Sequence, residues 1–480
     1  MSRLSQSIPP SASPPAADEP TIPATSATPL TALSAYEKRQ LAATVRAVVG
    51  VDAGKFAHVL VVRPVGQADS RPITCPVTPE GFAKSRDAIL RAVPGALPAD
   101  ILVGIEFAGS YGFTFAHYLH AQGFLVVSVL AAHTKRWKEV THHQALKTDA
   151  KDAAVICDLV AQGKFVGFAF LAQPYAELRY LVSAREHVTT LRNAALTRLI
   201  AVLDVVFPEF AQLFGDMAKP TALAVLKAFP GPAAVLAAPK RRVLKVLHAA
   251  SLGHLGATRY DALKQAAERT LGLPAAQGVL KDEIPLIVAR IELVDAQLAT
   301  IKAQMIAAMR PLPEAAALLT IPWIAPVTAA TFLGSIGDPR SYACAAQVLK
   351  LAGLSLVERS SGITQGQRHI SKRGKPTLRK TAFMFALRSV RKDGLYRAEY
   401  ERLLRNNGGV KLAALGAISR KALKLLFRVA RECRAYVPAD EWDARSGCRI
   451  APVRTGSATR RADRGTKGTA QRRSGQRPVA

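Results

Sequence analysis

Asp149 and Asp152 stand three residues apart in the stretch Leu146-Lys147-Thr148-Asp149-Ala150-Lys151-Asp152-Ala153-Ala154. The apolar residues that follow, Val155, Ile156, Leu159 and Val160, predict that this stretch opens a helix. Residues three apart on a helix share a face, so the two carboxylates point the same way. Held together they repel, and each raises the other's pKa unless a cation lies between them. The adjacent Lys147 and Lys151 can supply that cation. So can a divalent metal, since magnesium is usually held by one or two carboxylates together with substrate phosphate oxygens. Aspartates at a helix start also interact favourably with the helix dipole. The pair therefore gains meaning only if further acids converge on it.

The elements upstream offer two such acids. Ala47-Val48-Val49-Gly50-Val51-Asp52 is a short apolar run ending in an acid, followed by a turn at Gly54-Lys55 and a second β-rich run over 56–62. A third strand is predicted at 73–77 and a helix over 79–92. Ile101-Leu102-Val103-Gly104-Ile105-Glu106 is another apolar run ending in an acid, with a helix at 111–122 and a strand at 124–129 before the helix of the two aspartates. Buried strands alternating with helices indicate an α/β domain. The order is three strands, helix, strand, helix, strand, helix, which is the layout of the ribonuclease-H-like fold. In that fold catalytic acids sit at the end of the first strand, at the end of the fourth, and on a late helix, the places of Asp52, Glu106, Asp149 and Asp152. Each acid alone is explained by turn capping or by the helix dipole. All four on the expected elements, in the expected order, predict a metal-binding tetrad holding Mg2+.

Bulk properties point to the partner. The 480 residues suffice for two or three domains. With 65 Lys and Arg against 35 Asp and Glu the formal charge is +30, which favours a polyanion. No apolar run reaches membrane-spanning length and the N-terminus lacks a signal-peptide layout. Nucleic acid, not a membrane, is thus the expected partner, and the bacterial cytoplasm, in association with the nucleoid, the expected location. The five cysteines have no metal-type spacing and are expected as free thiols, without zinc.

Five regions are expected. Residues 1–44, rich in Pro, Ser, Ala and Thr, are predicted to be disordered, and 45–165 to form the ribonuclease-H-like domain. A helical region spans 175–310. It begins with a helix carrying Leu181, Ala184, Val188, Leu191, Ala195, Leu199 and Val202 and ended by Pro208. It closes with a heptad of Leu280, Ile284, Ile287, Ile291, Val294, Leu298, Ile301, Met305 and Ala308. That seam predicts a coiled coil, or equally two antiparallel helices of one chain packed together. A mostly α region covers 315–435, and 440–480 is a disordered basic tail, with eight Lys or Arg against the single Asp463 from Arg454 onward. Such a tail adds salt-sensitive affinity for nucleic acid.

Gly50-Val51-Asp52, Gly104-Ile105-Glu106 followed by Gly109-Ser110-Tyr111-Gly112, and Lys147-Thr148-Asp149-Ala150-Lys151-Asp152-Ala153 resemble the acidic motifs of the DEDD-type transposases of bacterial insertion sequences (insertion sequence 110 family). Leu319-Thr320-Ile321-Pro322-Trp323-Ile324-Ala325-Pro326 resembles the entry to that family's C-terminal transposase domain, where the pattern is Ile-Pro-Gly-Ile-Gly-Pro. Trp323 and Ala325 replace its glycines, which removes the close backbone approach that phosphate contact would use and leaves Trp323 to fill a core gap. Gly353-Leu354, Ser361-Gly362 and Ser371-Lys372-Arg373-Gly374-Lys375-Pro376-Thr377-Leu378-Arg379 match further motifs, with Lys375 in place of asparagine. The resemblance implies that Ser361 is the nucleophile of strand cleavage, with Ser360 its adjacent rival. A serine hydroxyl needs a base or a metal to become nucleophilic. Arg368, Lys372, Arg373, Lys375, Arg379 and Lys380, in a loop and the start of the next helix, are expected to clamp phosphate. The resemblance also implies a structured guide-type RNA and a homo-oligomer, dimer or tetramer.

The expected function is a transposase or site-specific recombinase that binds, cleaves and rejoins DNA. The alternative is a metal-dependent nuclease or junction resolvase that uses water, with Ser361 structural. A non-enzymatic nucleic-acid-binding protein is disfavoured by the presence of all four acids.

Overall fold

The computed structural model describes residues 30–31, 33–107, 109–141, 148–168, 170–358 and 368–437. Lys147, Ser360, Ser361 and most of the two expected tails lie outside these residues.

After α1 (Ala35–Thr44), capped reciprocally by Ser34 and Glu37, the chain enters β1 (Ala47–Ala53), β2 (Ala57–Pro64) and β3 (Ile73–Pro76). Then come α2 (Pro79–Ala92), β4 (Ile101–Glu106), α3 (Phe113–Ala121), β5 (Leu125–Val129), α4 (Ala131–Thr141), α5 (Asp149–Ala161) and the two-residue β6 (Val166–Gly167). The six strands form one mixed sheet in the order β3-β2-β1-β4-β5-β6, in which the β1–β4 and β4–β5 pairings are parallel and the other pairings antiparallel. The sequence pattern anticipated five of these strands and missed the short edge strand β6.

Side chains of a strand alternate between faces, and here both faces are covered. Ala47, Val49, Val51 and Ala53 of β1, with Ile101, Val103 and Ile105 of β4, pack on Phe82 and Ile89 of α2 and Phe115 and Leu119 of α3. The alternate residues Val48 and Leu102 pack on Ala153, Ile156, Cys157 and Val160 of α5. This two-sided burial explains why the strands read as continuous apolar runs.

Beyond the sheet the chain is mostly helical. The long α6 (Tyr175–Val206) leads into α7 (Glu209–Phe214), α8 (Pro220–Ala228), α9 (Pro232–Ala237), α10 (Lys240–Ala250), α11 (Ala257–Glu268) and α12 (Pro274–Leu280). The long α13 (Glu283–Met309) then runs back antiparallel along α6, with Arg198 paired to Glu283 at 2.6 Å near one end and Arg192 paired to Asp295 further along. The heptad residues Ile284, Ile287 and Ile291 are buried in one core with Ala195, Leu199 and Val202 of α6. Within the chain, then, the seam joins two antiparallel helices.

The rest comprises α14 (Pro313–Leu319), α15 (Pro326–Ile336), α16 (Ala345–Leu351), the hairpin β7 (Leu356–Glu358) and β8 (Arg368–Ile370), α17 (Pro376–Ser389), α18 (Arg397–Asn406) and α19 (Lys411–Glu432). Trp323, in the turn before α15, is 41% exposed and so does not fill a core gap. Among the described residues no helix is long and apolar enough to cross a membrane. Cys75, Cys157, Cys344 and Cys433 are all free, the first two buried.

Candidate active site

Asp52 and Glu106 are direct partners in the parallel register of β1 and β4, as are Gly50 and Gly104 two residues earlier. The two-residue period puts all four on the face covered by α5. At Gly50 a Cβ would collide with the Ala153 carbonyl oxygen, and at Gly104 with Val160 Cγ2. The glycines let α5 lie against the sheet, and the acids two residues on then reach its first turn. That turn holds Asp149 and Asp152, N-capped by Thr148, whose hydroxyl accepts from the Lys151 N–H.

The structure thus draws the four acids into one electrostatic cluster. Asp152 is buried, Asp52 and Glu106 are partly buried and Asp149 is exposed. The Asp52 carboxyl is pushed up to about 6, first by burial, then by the charges of Asp152, Asp149 and Glu106. The opposing influence is Lys138. Lys138 comes from α4 and its Nζ pairs with Asp152 Oδ1 at 2.5 Å. The cation beside the aspartate pair is therefore contributed by another helix. Lys151, one of the two sequence neighbours able to supply such a charge, is exposed and has no ion pair among the described residues.

Four carboxylates form a hard-oxygen donor set suited to Mg2+ or Mn2+. The Asp52 carboxyl is raised first by burial and then by the neighbouring carboxylates, a cost that a cation placed there would relieve. Among the described residues no group of three or more His, Cys, Asp or Glu side chains is arranged to hold a metal ion as it stands, and Asp152 is engaged by Lys138. The donors fit a divalent ion in kind but are not arranged around one.

The basic residues of the C-terminal region have different fates. Arg368 pairs with Glu358 across β7 and β8 at 2.9 Å. Lys375 turns inward, and its Nζ donates to the Ser335 carbonyl at 2.8 Å. Burial, with Arg179 nearby, pushes its ammonium down to about 8. Arg379 Nη1 donates to the carbonyls of Ala352 and Lys372, which holds the loop before α17 in place. Lys372 and Arg373 are exposed, without an ion pair among the described residues. Lys380 lines a groove of about 370 Å³ between α6, α15 and α17, together with Arg185, Arg388 and the hydroxyl-bearing Thr189, Thr328 and Thr381.

Residues 49–208 match the model of the DEDD IS110 transposases, and residues 315–401 that of transposases of the IS116/IS110/IS902 family. The chain belongs to the IS110 transposase family. An uncharacterized 43.6 kDa protein of insertion element IS110 from Streptomyces coelicolor is 26% identical over 293 residues, 60% of this chain and 72% of that protein. An uncharacterized 42 kDa protein of insertion element IS900 from Mycobacterium paratuberculosis is 26% identical over 403 residues, 81% of this chain and 97% of that protein. Membership makes the chain a DNA transposase, an enzyme that cuts and joins DNA strands. The first match takes in all four acids, and the second takes in Ser361 and the basic run after it.

Two features of this family member escaped sequence reasoning. Lys138 sits in His133-Thr134-Lys135-Arg136-Trp137-Lys138, which reads as an ordinary solvated basic face. Arg185 lies far in sequence from the other groove cations, and only the packing of α6 on α15 and α17 brings them together. No local signal marks either.

Proposed function

We infer that this transposase works through a divalent-metal site formed by Asp52, Glu106, Asp149 and Asp152 on a ribonuclease-H-like domain spanning residues 45–165. The observation that carries this reading is that Asp52 and Glu106, paired across β1 and β4, lie under the first turn of α5, which holds Asp149 and Asp152. The sheet order β3-β2-β1-β4-β5 and the placement of the acids support the fold assignment. Mg2+ held there would neutralise charge on the scissile phosphate.

The chain's own residues do the rest. Ser361 Oγ bonds to phosphorus as its proton leaves, and the displaced strand departs with a free hydroxyl, giving a transient serine–DNA phosphodiester. That role for Ser361 follows from the family resemblance of the Ser361-Gly362 segment. Lys372, Arg373 and the groove cations Arg185, Lys380 and Arg388 hold phosphates of the DNA backbone. A helical region at 175–310 and a transposase domain at 315–435 complete the protomer. Leu286 and Leu293, seven residues apart on α13 and 72% and 60% exposed, support association of more than one protomer. Target choice by a structured RNA follows from the family resemblance alone.

The deciding experiment traps the enzyme on a suicide DNA substrate. Wild type and Ser360→Ala should give a covalent adduct that Ser361→Ala does not. Cleavage persisting in Ser361→Ala would move the nucleophile to water and make the chain a nuclease-like enzyme with a structural serine.

A further inference from the structure

The acid cluster already contains a cation. Lys138 Nζ lies 2.5 Å from Asp152 Oδ1, its side chain one-third exposed at 33% and that of Asp152 nearly buried at 11%. The lysine is on the last turn of α4, and the aspartate is on the first turn of α5. The backbone beneath the pair is anchored. Next to Lys138, Trp137 Nε1 donates to Asp158 Oδ2 at 3.2 Å, and Arg63 Nη1 of β2 donates to Asp158 Oδ1 at 2.6 Å. Asp158 therefore ties α4 and α5 to the sheet, while the Lys138 ammonium sits at the end of a flexible four-carbon stem. An anchored helix with a mobile charged tip can hold Asp152 in one state and withdraw into solvent in another.

We propose that Lys138 is the built-in counter-ion of the transposase's acid cluster, holding Asp152 while no divalent ion is bound and leaving it when one arrives. The Lys138 ammonium pairs with Asp152 alone among the ion pairs of the described residues, and it carries a single charge. A divalent ion takes several oxygens at once. The two compete for Asp152. Once it leaves Asp152, the Lys138 ammonium would stand in solvent near the exposed Lys135 and Arg136 of α4. The lysine is a positioning residue that sets the threshold for loading the site. The inference rests on the metal-site reading above.

Two measurements test it on the full chain. Calorimetric titration with Mn2+ should show Lys138→Gln binding roughly three- to tenfold more tightly than wild type, the size expected when a partly exposed ion pair no longer competes. Lys151→Gln removes the same charge from an exposed neighbour that makes no ion pair among the described residues, and should stay within about twofold of wild type. In wild type, labelling with an amine-reactive reagent read by peptide mass spectrometry should modify Lys138 several-fold faster with Mn2+ present, with Lys151 unchanged. This second arm stands even if the variant fails to fold. Unchanged affinity in folded Lys138→Gln, or metal-independent labelling of Lys138, overturns the counter-ion role and leaves the metal site intact. If wild type, Lys138→Gln and Asp52→Asn all fail to bind Mn2+, the metal site itself falls, and this inference with it.

Discussion

Gly50 of β1 lies against the Ala153 carbonyl of α5 with no room between them for a side chain. That contact sets the depth at which α5 rests on the sheet, and so how near Asp149 and Asp152 come to Asp52. Gly50→Ala should cost about 3 kcal/mol, because backbone lies on both sides and neither side can yield cheaply. Gly104→Ala meets the buried, β-branched Val160, whose rotamer is fixed in its helix, and should cost about 2–3 kcal/mol. Thermal or urea unfolding checks both. Two variants as stable as wild type would mean that α5 does not sit this close.

Asp52 has its carboxyl at about 6, against an ordinary value of 3.8. The folded chain therefore binds that proton more tightly than the unfolded chain does. The cost of ionising Asp52 is absent below about pH 3.8, grows as pH rises towards about 6, and is complete above that. Asp52→Asn should accordingly stabilise the metal-free protein at about pH 8 by roughly 1 kcal/mol, allowing for solvent screening, while DNA cleavage is lost. The gain should shrink as pH falls below about 6. Added Mg2+ should raise the melting temperature of wild type more than that of the variant. Identical melting curves at about pH 8 would sink the expectation.

Trp323 occupies the left-handed region at φ +67°, where the family pattern has glycine. A side chain there strains the backbone by roughly 1 kcal/mol. Ala325, the other replacement, has an extended backbone at φ −85° that any residue adopts. Trp323→Gly is therefore expected to raise stability by up to about 1 kcal/mol, and Ala325→Gly to lower it slightly. Denaturant midpoints distinguish them, and a destabilised Trp323→Gly would show that the indole contributes more than the strain costs.

The buried and exposed faces of α13 test folding and the proposed assembly separately. Ile287→Ala or Ile291→Ala, inside the core shared with α6, should cost about 2–4 kcal/mol. Leu286→Glu and Leu293→Glu change exposed positions and should alter stability by less than about 0.5 kcal/mol while reducing the molar mass seen by light scattering. Unchanged mass in both leucine variants would remove this stripe as an assembly surface.

What the sequence determined by itself is local. Strand runs such as 47–53 and 101–106, the two-residue step from glycine to acid, and the three-residue spacing of Asp149 and Asp152 are periodicities that a single segment carries whatever it packs against. The long helices were legible for the same reason, as were the family motifs around them. Whether the heptad of α13 faced another protomer or its own chain was not, because Ile284, Ile287 and Ile291 present the same seam in either case. Only the tertiary structure decided that. It also decided that Lys375 turns inward to the Ser335 carbonyl while Lys372 and Arg373, in the same basic run, stay exposed. And it decided that the cation beside the acids is Lys138, brought by α4, and not Lys151 on their own helix. Charge acts through space, and the side chains nearest to a buried carboxylate are chosen by how helices cross a sheet. The order of residues along the chain sets which groups exist. Their packing sets which of them meet.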